Sequence, residues 1–405
     1  MRKRRTFGVL AIVGAVAIPA TAHATELTSA DVGATLPGPV EYAQDDPTFY
    51  EAPNPIPAGE HGDLVRWQVL ESSFDRLYRI MYLSQTVAGA PTVVTGLVSV
   101  PDDIAPFGGF RKLLYGHGTT GMADSCAPSM AIDNDSAYGD YDGEFHSVSG
   151  TAGDAWVTVA TDYEGVGGPG PHPFIVGVSE GRSMLDAGRA AGQIPGVYLS
   201  DTTAITGFSQ GGHAALWATK LAGEWAPEQT IVGTVVGAPA SDPAALASWA
   251  ASQPQLSALS VGLVAGMATT YPEAQGALGQ VLTPAGIALT EAWNTTHCFD
   301  QPVDIAGPYI AADPGTVEPF ASLLAANTAG TTATDAPMLI FHGDADERIP
   351  VVHSEALLAR LCAAGQVVER RVLPGGFHVN SGITLDALNW LNGVADGTTT
   401  LVSSC

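Results

Sequence analysis

A chain of 405 residues that is 46% hydrophobic and only 14% charged has the apolar material for a large core, which excludes a disordered polymer. Its 16 Lys and Arg stand against 41 Asp and Glu, a formal charge of −25, so it lacks the concentrated basic surface that a nucleic acid or an anionic bilayer requires. Basic and neutral ligands stay open.

In chain order, Arg2, Lys3, Arg4 and Arg5 precede an apolar run from Phe7 to Ala20, and Ala22-His23-Ala24 offers small residues at a cleavage position. Residues 1–24 read as a secretory signal peptide, because an apolar run of ~14 residues is short for a membrane span. Arg4-Arg5 also fits the start of a twin-arginine signal, so two export routes stay open. Cleavage would remove four cations and no acid, carrying the formal charge to −29. The expected product is secreted, has no integral membrane segment, and sits where Cys126, Cys298, Cys362 and Cys405 can form disulfides. Four cysteines allow three pairings, among which spacing does not choose, and no two stand at zinc-ligand spacing.

Residues 25–60, rich in Pro, Gly and acids, read as an extended N-terminal arm with little regular structure. Strand-like apolar runs follow at 66–71, 92–100, 111–116, 156–162, 203–207, 230–237, 337–342 and 367–373. Several are near-continuous apolar runs, as strands buried on both faces are. Helix-like segments lie between them at 183–193, 212–224 and 354–364. The alternation predicts an α/β fold with a mostly parallel central sheet and helices on both faces. The acidic stretch Asp133, Asp135, Asp140, Asp142 and Glu144 fails the EF-hand pattern, with Ala137 and Tyr138 where a ligand and the glycine belong. It reads as a solvated loop, and no metal or cofactor is expected. From Asp242 to Asp335 the alternation stops, and this Ala-, Ser-, Gly- and Thr-rich interval is expected to form a helical lid or cap. It would be inserted between two parts of the core, 61–241 and 336–405.

Gly207-Phe208-Ser209-Gln210-Gly211 matches the G-x-S-x-G nucleophile elbow, a strand-to-helix turn so tight that side chains two residues either side of the serine would clash. Gly177-Val178-Ser179-Glu180-Gly181 matches it too. There, however, a proline-rich segment precedes in place of a strand, and Glu180 would set a carboxylate beside the oxyanion. Ser179 therefore reads as the N-cap of a helix over 182–191, and Ser209 as the nucleophile.

A serine hydroxyl needs a histidine to take its proton, and that imidazole needs an oriented carboxylate, which in this chain order follows the serine and precedes the histidine. The loop after the run 337–342 offers Asp344 and Asp346, and its H-G-x-x-D-x-x-[VI]-P spacing selects Asp346, leaving Asp344 as a turn former. His378, on the glycine-rich loop after 367–373, is the expected base. His213, His342 and His353 stand on helices or at a strand end and read as packed or solvent histidines. The oxyanion hole would take the Gln210 N–H and a second donor from the loop Gly116-His117-Gly118-Thr119-Thr120-Gly121.

Together these residues resemble the secretory lipase family, α/β hydrolases of the fungal lipase A type, from about Asp46 to Cys405. Cys126-Ala127-Pro128-Ser129, Asp162-Tyr163-Glu164-Gly165 and Gly181-Arg182-Ser183-Met184-Leu185-Asp186 carry the resemblance beside the elbow, Asp346 and His378. It implies an α/β-hydrolase fold, Thr120 as the second oxyanion residue, disulfides Cys126–Cys298 and Cys362–Cys405, and a lid over the acyl pocket. Two departures bear on substrate preference: Thr120 replaces an acidic residue, and the C-terminal extension that flanks the fungal site is missing after Cys405. The expected function is that of a secreted triacylglycerol lipase or esterase, cleaving neutral esters, in lipid droplets or emulsions, through an acyl-enzyme. An esterase on short soluble esters or polyesters shares the chemistry, and a non-catalytic binder of hydrophobic ligands on the same fold is the alternative of another class.

Overall fold

The computed structural model describes residues 36–405 apart from 37, 45, 73, 74, 133–138 and 300. The signal-peptide reading of residues 1–24 lies outside the described residues.

Ten strands of the described residues form one sheet: β1 (Val40–Tyr42), β2 (Leu64–Leu70), β3 (Asp75–Gln85), β4 (Pro91–Pro101), β5 (Phe110–Gly116), β6 (Trp156–Thr161), β7 (Leu199–Phe208), β8 (Thr230–Gly237), β9 (Met338–Gly343) and β10 (Val368–Leu373). Their spatial order is β1-β2-β3-β4-β6-β5-β7-β8-β9-β10. From β6 to β10 every neighbour is parallel, whereas β2, β3, β4 and β6 pair antiparallel in succession. The parallel part is what apolar runs such as Trp156–Thr161 and Met338–Gly343, buried at every residue, require.

Among the described residues, twelve α-helices accompany the sheet: α1 (Pro128–Ala131), α2 (Gly139–Ala152), α3 (Gly177–Ala191), α4 (Gln210–Trp225), α5 (Pro243–Ala251), α6 (Ser257–Thr270), α7 (Pro272–Gln275), α8 (Leu278–Val281), α9 (Pro284–Thr295), α10 (Phe320–Ala326), α11 (Val352–Ala364) and α12 (Leu385–Ala395). Alternate side chains of each strand feed opposite faces of the sheet. Leu114, Ile205, Val236 and Ile340 pack with α3, α4 and α11, while Leu113, Ala204, Val235 and Leu339 pack with α2 and α12. Helices α5–α10 occupy residues 243–326 and build a separate apolar cluster, in which Val261, Val264, Met267 and Trp293 meet Met122, Phe174 and Ile175 of the core loops.

One sequence expectation needs correction, and two features of the fold add to the sequence reading. The arm is not irregular throughout: β1 pairs parallel with β2, and Phe49 is buried against Val65, Met81 and Val93. Strand β3 gave no apolar run because Asp75, Arg76 and Arg79 interrupt it. Arg79 nevertheless lies buried, donating to the Ser129 carbonyl from Nε at 3.0 Å and Nη2 at 2.7 Å. The acidic stretch runs into α2 at Gly139, and its last residue, Glu144, is half-buried and not freely solvated.

Cys126 is bonded to Cys298, and Cys362 to Cys405. The first bridge ties the loop after β5 to the helical insertion, where Phe299 N–H also donates to the Thr120 carbonyl at 2.9 Å. The second holds the chain end along β10, with Ser404 N–H donating to the Val368 carbonyl at 2.8 Å.

Candidate active site

Strand β7 ends at Phe208 and α4 begins at Gln210, so one residue, Ser209, makes the turn between them, with φ +57° and ψ −116°. A non-glycine residue there stores strain, which the neighbours hold in place. Ser209 N–H donates to the Gly237 carbonyl at 2.9 Å, and its own carbonyl accepts from His213 and Ala240 N–H, both at 3.2 Å. The flanking glycines are obligatory. A Cβ on Gly211 would stand 1.8 Å from the Gly116 oxygen, and one on Gly207 would stand 2.1 Å from the Gly211 oxygen.

The loops after β9 and β10 bring the other two groups to the serine. His378 is nearly buried, its Nδ1 donating to Asp346 Oδ2 at 2.8 Å, which leaves Nε2 as acceptor 3.0 Å from Ser209 Oγ. Asp346 Oδ1 accepts the N–H groups of Arg348 at 2.9 Å and Ile349 at 2.7 Å. His342 Nε2 lies 3.1 Å from Asp346 Oδ2 and 2.8 Å from the Ile349 carbonyl. Burial pushes the Asp346 carboxyl up, but the bonds from His342, His378 and the Ile349 N–H outweigh it and hold the group well below the carboxylate range. An acid held ionised in this way keeps the imidazole in one tautomer and steadies its cation. Asp344, by contrast, is exposed and accepts the Gly375 N–H at 2.6 Å, as a turn former does. His213 and His353 are both buried away from the serine hydroxyl.

Behind the serine stands a buried network that motif reading missed. Gln210 Nε2 donates to Glu180 Oε1 at 2.9 Å and to His172 Nε2 at 2.8 Å, and His172 Nδ1 donates to the Glu164 carbonyl at 2.7 Å. Glu180 also accepts Ile175 N–H at 3.0 Å, and its Oε2 lies 2.7 Å from His213 Nδ1. His213 Nε2 is 2.9 Å from the carbonyl of Asn327, the residue that ends α10. The second G-x-S-x-G thus supplies a carboxylate that orients the first. Ser179 is not an N-cap, because α3 begins at Gly177, whose N–H donates to Asn327 Oδ1 at 2.9 Å, a cap supplied from the far end of the insertion. The Ser179 hydroxyl is buried and donates to Glu164 Oε2.

Ser209, Gln210 and His378 border a cavity of about 580 Å³ with Gly118 and Thr119. Thr120 does not border it: it is buried one residue behind, its hydroxyl among the buried groups with no hydrogen-bond partner. Helices of the insertion close one side with Leu246, Leu259 and Leu263, joined by Phe174 and Phe299, and α2 brings Glu144, Ser147 and Val148 to the wall. A hydroxyl with a base and an oriented acid, set at a helix N-terminus and beside an apolar cavity, can attack an acyl carbon and hold the resulting oxyanion.

A family model described as secretory lipase matches residues 141–401. Over 209 residues, 49% of this chain and 46% of the relative, the chain is 31% identical to a protein of Mycobacterium tuberculosis named as a probable inactive lipase. Over 226 residues, 52% of this chain and 46% of the relative, it is 26% identical to a secreted triacylglycerol lipase of Malassezia globosa. The matches thus span about half the length of either relative. Among solved structures, Candida antarctica lipase A in its closed state superimposes with a TM-score of 0.74 at 21% identity, covering 89% of this chain and 87% of that one, and so shares its α/β-hydrolase fold.

Proposed function

The chain belongs to the secretory lipase family, and from that premise we propose that it is a secreted serine hydrolase of carboxylic esters, acylglycerols among them. The observation that carries the reading is the unbroken relay from Asp346 through His378 to Ser209, with heavy-atom separations of 2.8 and 3.0 Å, at the wall of a largely apolar cavity. His378 Nε2 takes the proton of Ser209 Oγ as the oxygen adds to the ester carbonyl, and Asp346 steadies the imidazolium. The tetrahedral oxyanion is held by the Gln210 N–H, whose residue is fixed by Glu180 and His172, and by a donor of the segment 118–120. Thr120 was the residue that the family resemblance pointed to, but Gly118 and Thr119 are the members of that segment at the cavity wall, which favours them. His378 then protonates the leaving alcohol, and water hydrolyses the acyl-enzyme by the same route. Residues 242–335 act as the lid over the acyl side.

Labelling with an active-site fluorophosphonate, followed by peptide mapping, tests the reading. Ser209 should be the modified residue, and the Ser209→Ala variant should neither label nor turn over ester. A chain that does not label is instead a ligand binder, the outcome that kinship with a protein named as an inactive lipase makes worth measuring. A rate series on esters of rising acyl length, taken below and above their solubility limits, then separates the two catalytic readings. A jump at the emulsion threshold marks a lipase with a moving lid, and smooth saturation on short acyl chains marks an esterase of soluble esters.

A further inference from the structure

We infer that Glu144 selects the alcohol part of the substrate, accepting esters whose alcohol carries a free hydroxyl group and disfavouring plain alkyl esters; this rests on Ser209 being the nucleophile. The cavity has two unlike walls. On one side the insertion and its neighbouring loops present Leu246, Leu256, Leu259, Leu263, Phe174 and Phe299, a surface with nothing to offer a hydroxyl group and suited to an acyl chain. The other comes from α2, which packs against α12, and from the segment after His378 that leads into α12. It sets the polar Glu144, Ser147, Asn380 and Thr384 among the apolar Val148, Val379 and Ile383.

Two of these four polar side chains are already committed. Asn380 Oδ1 accepts Phe377 N–H at 2.8 Å, and Thr384 Oγ1 accepts Ala387 N–H at 3.3 Å as the cap of α12. Glu144 and Ser147 stand three residues apart on α2 and so share one face of the helix. The Glu144 carboxyl is pushed up by burial, against a hydrogen bond from the Tyr115 hydroxyl, and whether charged or neutral it can accept a hydrogen bond from a substrate hydroxyl group. A plain alkyl group seated on it would strip the carboxyl of water and return nothing, whereas a hydroxyl replaces the lost bond. With the acyl chain on the leucine side, the leaving alcohol is the part of the ester that reaches α2.

The test compares kcat/KM on a matched pair, a short-chain monoacylglycerol and the methyl ester of the same acid, both below their solubility limits, for the wild type, Glu144→Leu and Glu144→Gln. The monoacylglycerol-to-methyl-ester ratio should fall about 3- to 10-fold in Glu144→Leu, the loss of roughly one hydrogen bond. It should be largely kept in Glu144→Gln, which retains both donor and acceptor. An unchanged ratio in both variants, with Ser209 still labelling at the wild-type rate, overturns the assignment and leaves the reaction standing. A wild type whose Ser209 does not label overturns the reaction, and the assignment with it. Should Glu144→Leu fail to fold, an unchanged ratio in a folded Glu144→Met overturns the assignment and a lowered one supports it.

Discussion

One added carbon is enough to probe the elbow. At Gly211 it would stand 1.8 Å from a backbone oxygen of the neighbouring strand β5, a contact that no rotamer relieves, so α4 and β5 must part. Gly223, on the same helix, has open space around its missing Cβ. Gly211→Ala should therefore destabilise by at least ~2 kcal/mol and abolish fluorophosphonate labelling. Gly223→Ala should label normally and gain about 0.5–1 kcal/mol, as alanine does inside a helix. Thermal melts with labelling rates check both, and a Gly211→Ala that labels normally would refute the close approach. At this scale the sequence was readable wherever chemistry imposes a spacing: Ser209 between its glycines, Asp346 in its loop, His378 after a glycine pair. It was silent on the partners of Glu180, His172 and Asn327, which reach Gln210, His213 and Gly177 across 30 to 150 positions. Nothing local distinguishes a carboxylate that will meet a distant glutamine from one that will meet water. Nor does spacing tell which of Gly118, Thr119 and Thr120 faces the cavity, since that depends on how the loop turns.

The strands that alternate with helices were legible where burial on both faces forces a nearly unbroken apolar run, as in β6 and β9. The edge strand β10, Val368–Leu373, by contrast carries Glu369, Arg370 and Arg371 and is only partly buried. Strand β3 and helix α2 escaped the reading. Each carries charge at positions that only a tertiary partner makes tolerable, Arg79 on the Ser129 carbonyl and Glu144 against Tyr115. Elements are also what the disulfides divide. The Cys126–Cys298 bridge closes 172 positions and joins the oxyanion loop to a segment that brings Phe299 to the cavity, while Cys362–Cys405 closes 43 positions and lays the chain end along β10, remote from the serine. Chain entropy caps their contributions at about 5 and about 4 kcal/mol, close enough that stability alone hardly separates them. Activity should. The double variant Cys126→Ser/Cys298→Ser is expected to lower both the melting temperature and the rate of labelling by a long-chain phosphonate. Cys362→Ser/Cys405→Ser is expected to lower the melting temperature with labelling unchanged. Equal labelling in the two would sever the proposed link between the first bridge and the lid. Asn327, bonded to Gly177 and His213, is a second fixed point beyond Cys298, so a swing of the proposed lid would fall to α5–α9, the stretch ahead of both.

For the molecule as a whole, burial of carboxyls and net charge act on stability in the same direction, and burial of histidines in the opposite one. Burial pushes up the carboxyls of Asp162, Glu164 and Glu144, outweighing the hydrogen bonds that Ser129, Thr95, Ser179 and Tyr115 give them. A group whose native pKa lies above its unfolded value adds stability that is complete below that unfolded value, near ~4, and is lost as pH rises through the native one. Asp346 and Glu228 have the opposite sign. The first is held down by His342 and His378 against the effect of burial, the second chiefly by its bond from Arg189. Their contribution is present above ~4 and lost as pH falls through their depressed values. Self-repulsion among the excess acids, a formal charge of −25 for the whole chain, also eases as pH falls. Burial holds the imidazoles of His117, His172 and His353 below their ordinary value, so their contribution to stability is lost as pH falls below about 6.5. The melting temperature should therefore climb from pH 8 to about pH 6.5 and drop below about pH 4. Each proton bound on folding steepens the climb by about 1.4 kcal/mol per pH unit. Two variants and a salt titration separate the causes. Raising NaCl screens only the surface repulsion, so it should lift the melting temperature more at pH 8 than at pH 5. Asp162→Asn, which keeps an acceptor for Ser129 and loses the buried ionisation, should flatten the climb at any salt concentration, whereas Asp102→Asn, on an exposed turn, should not. A melting temperature that falls steadily from pH 8 to pH 5 would mean that the buried neutral histidines His117, His172 and His353 outweigh the buried carboxyls.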